Sequence, residues 1–193
     1  MSGLNWTIGD IDEMKNYDVF TTKTIRKIAP DGDKVSFTKI CMKNAVAVMV
    51  FNTMTKKFVL VKEWKHGLDK VLVECYTDFI EDNEESADAA LKIVENKLKC
   101  TNARIAAQLF SGSMNPDLSD MHIDGYLVFV DSRESSNNLP YTEVIELPEE
   151  EMFQTIAEAD SAIWQKLMLF NYTAILRKVA EVQKAKAEDL EKL

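Results

Sequence analysis

The sequence predicts an α+β domain from three observations. A series of strand-like segments comes first, one helix interrupts it after residue 85, and helical periodicity occupies the end of the chain. The 193 residues are 46% hydrophobic and 28% charged, which suits a globular protein with a substantial core. No apolar run approaches the roughly 20 residues that cross a bilayer. The acidic, interrupted opening "MSGLNWTIGDIDEMKNYD" does not read as a secretory signal.

Taken in order, residues 17–28 ("YDVFTTKTIRKI") alternate and are rich in β-branched and aromatic types, so they predict a strand. A Pro-Asp-Gly turn follows at 29–33, and "KVSFTKICM" (34–42) returns as its antiparallel partner. "AVAVMVF" (45–51) and "FVLVKEW" (58–64) are nearly continuous apolar runs, as expected for strands buried on both faces. "KVLVECY" (70–76), "ARIAAQLF" (103–110), "IDGYLVFVD" (123–131) and "YTEVIEL" (141–147) are further strands. A long loop, "SGSMNPDLSDMH" (111–122), separates the second and third of these.

In the middle helix, Ser86 is the expected N-cap, with Glu84 and Glu85 favoured by the helix dipole. Ala87, Ala90, Leu91, Val94 and Leu98 make the expected apolar stripe, while 93, 96 and 97 share another face. Pro148 opens an acidic helix start, and Asp160 or Ser161 can cap a helix running to about residue 182. Its apolar positions include 163, 164, 167, 168, 174, 175, 179 and 182, with Asn171 the polar exception. The tail after 182 has little to bury and predicts a solvated end. These boundaries give an N-terminal strand region at 1–42, a main domain at 43–182 and a polar tail at 183–193.

Three cysteines, Cys41, Cys75 and Cys100, each sit in a structured stretch, which predicts free thiols and a cytoplasmic setting. The net charge of −9 speaks against nucleic acid as a partner. His66 and His122 show no signature that would pair either with a nucleophilic thiol.

The segment "DFIEDNEESADAALKIVENKLKC" (78–100) resembles the Nudix box, G-x5-E-x7-R-E-U-x-E-E-x-G-U. Asp78 falls at the first glycine, Glu84 at the first glutamate, Lys92 at the arginine and Cys100 at the last aliphatic position. The flanking segments "AVAVMVFNTMTKKFVLVKEW", "SGSMNPDLSDMHIDGYLVF" and "TEVIELP" resemble those of the ADP-ribose and nucleoside-diphosphate-sugar pyrophosphatases. The likeness covers roughly residues 17–180. It implies a Nudix fold: a mixed sheet between helices, preceded by an N-terminal antiparallel strand pair.

The same resemblance implies magnesium-dependent hydrolysis, and here the sequence departs from it. The three metal-binding glutamates align with Ile93, Asn96 and Lys97, and both box glycines are replaced, by Asp78 and Lys99. Glu84 alone remains of the box glutamates. Magnesium wants near-octahedral oxygen ligands that offset its charge. Isoleucine offers none, asparagine one neutral oxygen, and lysine a like charge. Without the metal, phosphoryl oxygens lose their charge stabilisation and water its activation. Neither a magnesium cofactor nor a set of catalytic residues is expected.

The resemblance also implies substrate-binding positions. Phe37, with Phe20 as a second wall, matches the aromatic that stacks on the nucleobase. Lys65 stands where an arginine contacts phosphates, with the charge kept and the two-pronged geometry lost. Met114, Asn115 and Leu118 match the substrate loop, and Lys92 and Lys97 add positive charge that can partly neutralise a pyrophosphate. The expected function is a ligand- or partner-binding Nudix-fold protein without hydrolysis. The alternatives are an active nucleotide-sugar hydrolase using relocated carboxylates, for example Glu74, Glu81, Asp82, Glu84, Glu85, Glu134 or Glu143, and a purely structural subunit. Members of this branch pair through N-terminal strands, which implies a homodimer or a heterodimer with a related chain.

Overall fold

The computed structural model describes residues 6–17, 20–134, 139, 141–158 and 163–190, the last six of these by backbone alone. Two compact units emerge, Met1–Ala45 with Gly112–Ile123, and Val46–Ser111 with Asp124–Leu193.

The first unit holds a three-stranded antiparallel sheet of β1 (Thr7–Asn16), β2 (Thr21–Ile28) and β3 (Lys34–Cys41), in that order. β2 and β3 pair without a slip from Thr21↔Cys41 to Ile28↔Lys34. Between them Gly32 takes φ +92°, a left-handed conformation that glycine adopts freely, and its N–H donates to the Ala29 carbonyl at 2.9 Å. The expected antiparallel pair is present, and β1 is a third strand the sequence did not announce. Gly9, Asp10, Asp12, Glu13 and Asn16 are poor strand formers, and two register shifts around Ile11 break the alternation. Cross-strand polar contacts help to hold β1: Arg26 donates to Asp12 at 2.7 Å and Ser36 to the same carboxylate at 3.3 Å. The strand expected at 17–28 begins only at Thr21. Ahead of it the Tyr17 N–H donates to the Phe20 carbonyl, and the two rings stack 4.7 Å apart.

The remaining strands are β4 (Ala45–Asn52), β5 (Lys57–Lys65), β6 (Lys70–Glu74), β7 (Tyr76–Phe79), β8 (Cys100–Thr101), β9 (Arg104–Ser113), β10 (His122–Val130), β11 (Ser132–Arg133) and β12 (Thr142–Pro148). Seven of them form a mixed sheet in the order β12-β5-β4-β10-β9, with β6 paired to β5 and β7 to β4. β8 and β11 make a separate two-residue ladder. The helices are α1 (Ser86–Asn96), α2 (Glu149–Glu158) and α3 (Ile163–Leu190). The expected α+β class holds.

β4 is buried along nearly its whole length, as its uninterrupted apolar run requires. Val46, Val48 and Val50 share a cluster with Val59, Val61, Tyr126, Val128, Val130 and, from α1, Ala89, Ala90, Ile93, Val94 and Leu98. The buried face of α1 is therefore rotated from the expected stripe. Ala89 and Ile93 face inward, while Ala87 and Leu91 are only partly covered.

The α1 cap also differs from expectation. Extended Glu85 occupies the N-cap without a side-chain bond, and Ser86 instead shares a 2.7 Å hydrogen bond with the Tyr126 hydroxyl.

α3 buries Trp164, Gln165, Met168, Leu169 and Tyr172, whereas Ile163 and Leu167, expected on the apolar stripe, are exposed. Its backbone stays helical to Leu190, past the expected end. Gly125 of β10 permits the close approach of α3, since a Cβ there would lie 2.7 Å from the Met168 sulfur. The proposed caps Asp160 and Ser161 lie outside the described residues. No helix among those residues is long and apolar enough to cross a membrane.

Candidate functional site

The box segment runs from β7 through a turn into α1. Asp78 accepts the Phe79 N–H at 2.9 Å and lies 3.4 Å from the Tyr76 hydroxyl. Burial, joined by the Asp78 charge, pushes that phenol up from its ordinary value. Glu84 accepts the Glu81 N–H at 3.2 Å and pairs with Lys92 at 3.3 Å. Glu84 and Lys92 therefore neutralise each other.

Farther along α1, Ile93 is 6% exposed and belongs to the apolar cluster. Asn96 is the last helical residue and is exposed. Lys97 follows as the C-cap, its N–H bonded to the Ile93 carbonyl at 2.8 Å and its side chain exposed. Among the described residues it has no ion-pair partner. Lys99, at the second glycine position, has φ +57°, a backbone that favours glycine. A lysine holds this left-handed position although its side chain disfavours it.

These residues do not fit a magnesium ion. Position 93 presents a hydrocarbon packed inward, position 96 a single neutral oxygen and position 97 an ammonium. Nor are the other acids gathered into a substitute. Among the described residues no group of three or more His, Cys, Asp or Glu is arranged to hold a metal. Glu143 pairs with Lys62 at 3.4 Å. Glu134 is exposed, with its N–H on the Lys99 carbonyl at 3.0 Å.

Lys65 closes β5 beside a buried network. Its ammonium pairs with Glu74, which is 5% exposed, and lies 3.1 Å from Glu63. The other Glu74 oxygen accepts the Gln165 amide at 2.8 Å, and the Gln165 carbonyl accepts the Cys75 N–H at 3.0 Å. Burial works to lower the Lys65 pKa, but the hydrogen bond and charge of Glu74, joined by those of Glu63, prevail and raise it. This lysine is already committed to two carboxylates. Gln165 gave no sequence signal, because a glutamine within helical periodicity reads as surface. Burial, helped by the Glu74 charge, pushes the Cys75 thiol up to about 12, and burial also lifts Cys100 to about 12. Cys41, Cys75 and Cys100 are free, and both of the buried thiols are poor nucleophiles.

The first unit carries a separate feature. Phe37, Lys27, Lys39, Ile8 and Ile25 line a cleft of about 410 Å³ together with Ser113, Pro116, Asp117, Ser119 and Asp120 of the long loop. The loop is fastened to β3: the Ile40 N–H donates to the Leu118 carbonyl at 2.7 Å, and the Asp120 N–H to the Ile40 carbonyl at 3.3 Å. Lys39 pairs with Asp120 at 2.8 Å, and the same carboxylate accepts the Met42 N–H. Partial burial would raise the Asp120 pKa, but these bonds, led by that of Lys39, hold it below the usual carboxylate value.

Of the loop residues singled out from sequence, Asn115 organises the turn by accepting the Asp117 N–H at 3.3 Å. The Met114 N–H donates to the Met121 carbonyl, and Leu118 is 55% exposed. Phe37 thus shares a cleft with this loop, while Phe20 stacks on Tyr17 and does not line it. Lys27, Lys39 and Asp120 were not anticipated. The alternation Ile25/Lys27 and Phe37/Lys39 was a usable signal, since residues two apart share one strand face.

No protein-family model matches the chain, and no curated protein matches it. A solved structure titled "Crystal structure of ADP compounds hydrolase" is similar, with a TM-score of 0.75 and 15% identity. The match covers 92% of this chain and 98% of that one. At that identity the likeness shows the fold, which is Nudix-like.

Proposed function

We propose that this chain is a Nudix-fold protein that binds an anionic ligand or a partner and lacks magnesium-dependent hydrolysis. The observation that carries the reading is the α1 face itself. Ile93 is drawn into the core and Lys97 stands exposed without a counter-charge among the described residues, where the resemblance calls for carboxylates. An ammonium there favours phosphate oxygens and repels a divalent cation, so binding is metal-independent. In the N-terminal unit, Phe37 offers an aromatic wall for a planar ring. The ligand class consistent with the Phe37 wall is a nucleotide or nucleotide sugar, and the similar fold of an ADP compounds hydrolase supports it.

Turnover of ADP-ribose and a panel of nucleotide sugars, with magnesium or manganese, is the test, run beside thermal shifts without metal. The expected outcome is no hydrolysis and a ligand-induced rise in melting temperature, weakened by Lys97→Glu. Turnover of the order of 1 per second or more would overturn the reading. Lys97→Glu alone will not restore hydrolysis, because Ile93 and Asn96 still bring no carboxylate.

A further inference from the structure

The cleft of the N-terminal unit contains one cation without an anionic partner among the described residues. Lys39 is spent on Asp120, but Lys27 makes no ion pair among those residues. Its ammonium lies 5.0 Å from the centroid of the Phe37 ring, and both side chains line the same cleft. Phe37 is 40% exposed and is braced by Trp6, whose ring meets it nearly perpendicularly at 5.6 Å. In this resting arrangement the electron-rich face of Phe37 holds an ammonium, as a cation–π contact.

We infer that Lys27 sets the ligand specificity of this cleft: a planar ring displaces its ammonium from Phe37, and the released charge then pairs with an anionic group on the same ligand. The inference rests on the stacking role proposed for Phe37 and adds a residue and a chemical demand to it. A neutral ring must break the cation–π contact and offers nothing in return. A ring carrying phosphate replaces that contact with a stronger charge-assisted hydrogen bond. Asp117, on the loop, also lines the cleft and repels anions, so the phosphate belongs on the Lys27 side. The ligand class is therefore a nucleotide rather than a nucleoside or free phosphate. Each of those supplies only half of the exchange.

Calorimetry without metal, with adenosine, ADP and inorganic phosphate, tests this on the wild type, Lys27→Met and Phe37→Leu. The wild type is expected to bind ADP at least about tenfold more tightly than adenosine, the usual scale of one charged hydrogen bond. Lys27→Met is expected to narrow that gap by weakening ADP while leaving adenosine equal or tighter, because no ammonium needs displacing. Phe37→Leu should weaken both. Circular dichroism and melting curves on each variant establish that it is folded. An undiminished ADP preference in Lys27→Met, or a wild type that binds neither nucleoside nor nucleotide, would overturn the inference. Magnesium-dependent hydrolysis would overturn the proposed function instead, and the affinity gap between ADP and adenosine would still decide the role of Lys27.

Discussion

At the scale of single residues, two lysines make opposite bargains with the fold. Lys65 supplies the counter-charge to Glu74, a carboxylate that is 5% exposed. Removing one partner of a buried pair leaves an uncompensated charge, and because Lys65 itself is partly hydrated the cost is discounted to about 1–3 kcal/mol. Lys65→Met is expected to lose that much in urea or thermal unfolding near neutral pH, with Lys65→Arg losing less. The pH dependence has a definite sign. The folded pKa of Lys65 is raised, so its contribution is complete below the ordinary lysine value of 10.5 and is lost as pH rises through the folded value. The gap between wild type and Lys65→Met should therefore persist through neutral pH and close only in strong alkali. Lys99, in contrast, sits at φ +57° with a side chain the conformation does not favour. Lys99→Gly removes strain of about 1 kcal/mol, offset in part by glycine's greater freedom when unfolded, and should stabilise by a few tenths to 1 kcal/mol. A lower melting temperature for that variant would show that the lysine side chain contributes contacts that outweigh the strain.

At the scale of elements, α1 shows how packing limits what a helix can present. Ile93 is one of the residues that fix the helix on the sheet, so the helix cannot present a carboxylate there without opening the apolar cluster. Ile93→Glu should destabilise the protein by about 2–5 kcal/mol through lost packing and a buried charge, measured as a shift in unfolding midpoint at unchanged slope. A neutral result would mean that the position can swing to solvent and that burial does not bar a carboxylate there. The same helix shows what was legible in sequence. β4, β5 and β10 were readable because burial dictates their apolar runs, and β3, which has no fully buried residue, was readable from its alternation and the turn before it. β1 was not, because its pairing rests on bulges and polar cross-strand contacts rather than on alternation. The inward face of α1 escapes a reading that sets Ile93 apart by its box position, although its spacing from Ala89, Ala90 and Val94 already marks it as core. α3 misleads in the other direction. Gln165 is buried by its bonds to Glu74 and the Cys75 N–H, a long-range pairing that no local pattern announces.

At the scale of the whole molecule, the fold leaves the outer edge of β1 to be covered. Ile8 is 75% exposed, Ile11 56% and Met14 55%, on an edge strand of a three-stranded sheet. Unpaired edges of this kind invite strand addition, and small sheets gain stability when their apolar surface is covered. We propose that a second copy of the chain, or a related chain, covers it, in keeping with the N-terminal pairing that the resemblance implies. A two-fold contact uses the same patch on both partners, so a single substitution acts twice. Light scattering at micromolar concentration should give the mass of a dimer for the wild type. Ile11→Lys should give a monomer, with little change in melting behaviour at dilutions where both are monomeric, because the side chain it replaces is already exposed. The comparison separates assembly from folding. A variant that fails to fold loses its circular dichroism signal, whereas one that fails only to pair keeps it and halves its mass. A wild type that scatters as a monomer across the micromolar range would remove the dimer and leave β1 as an edge protected by its own charges, Asp10, Asp12, Glu13 and Lys15.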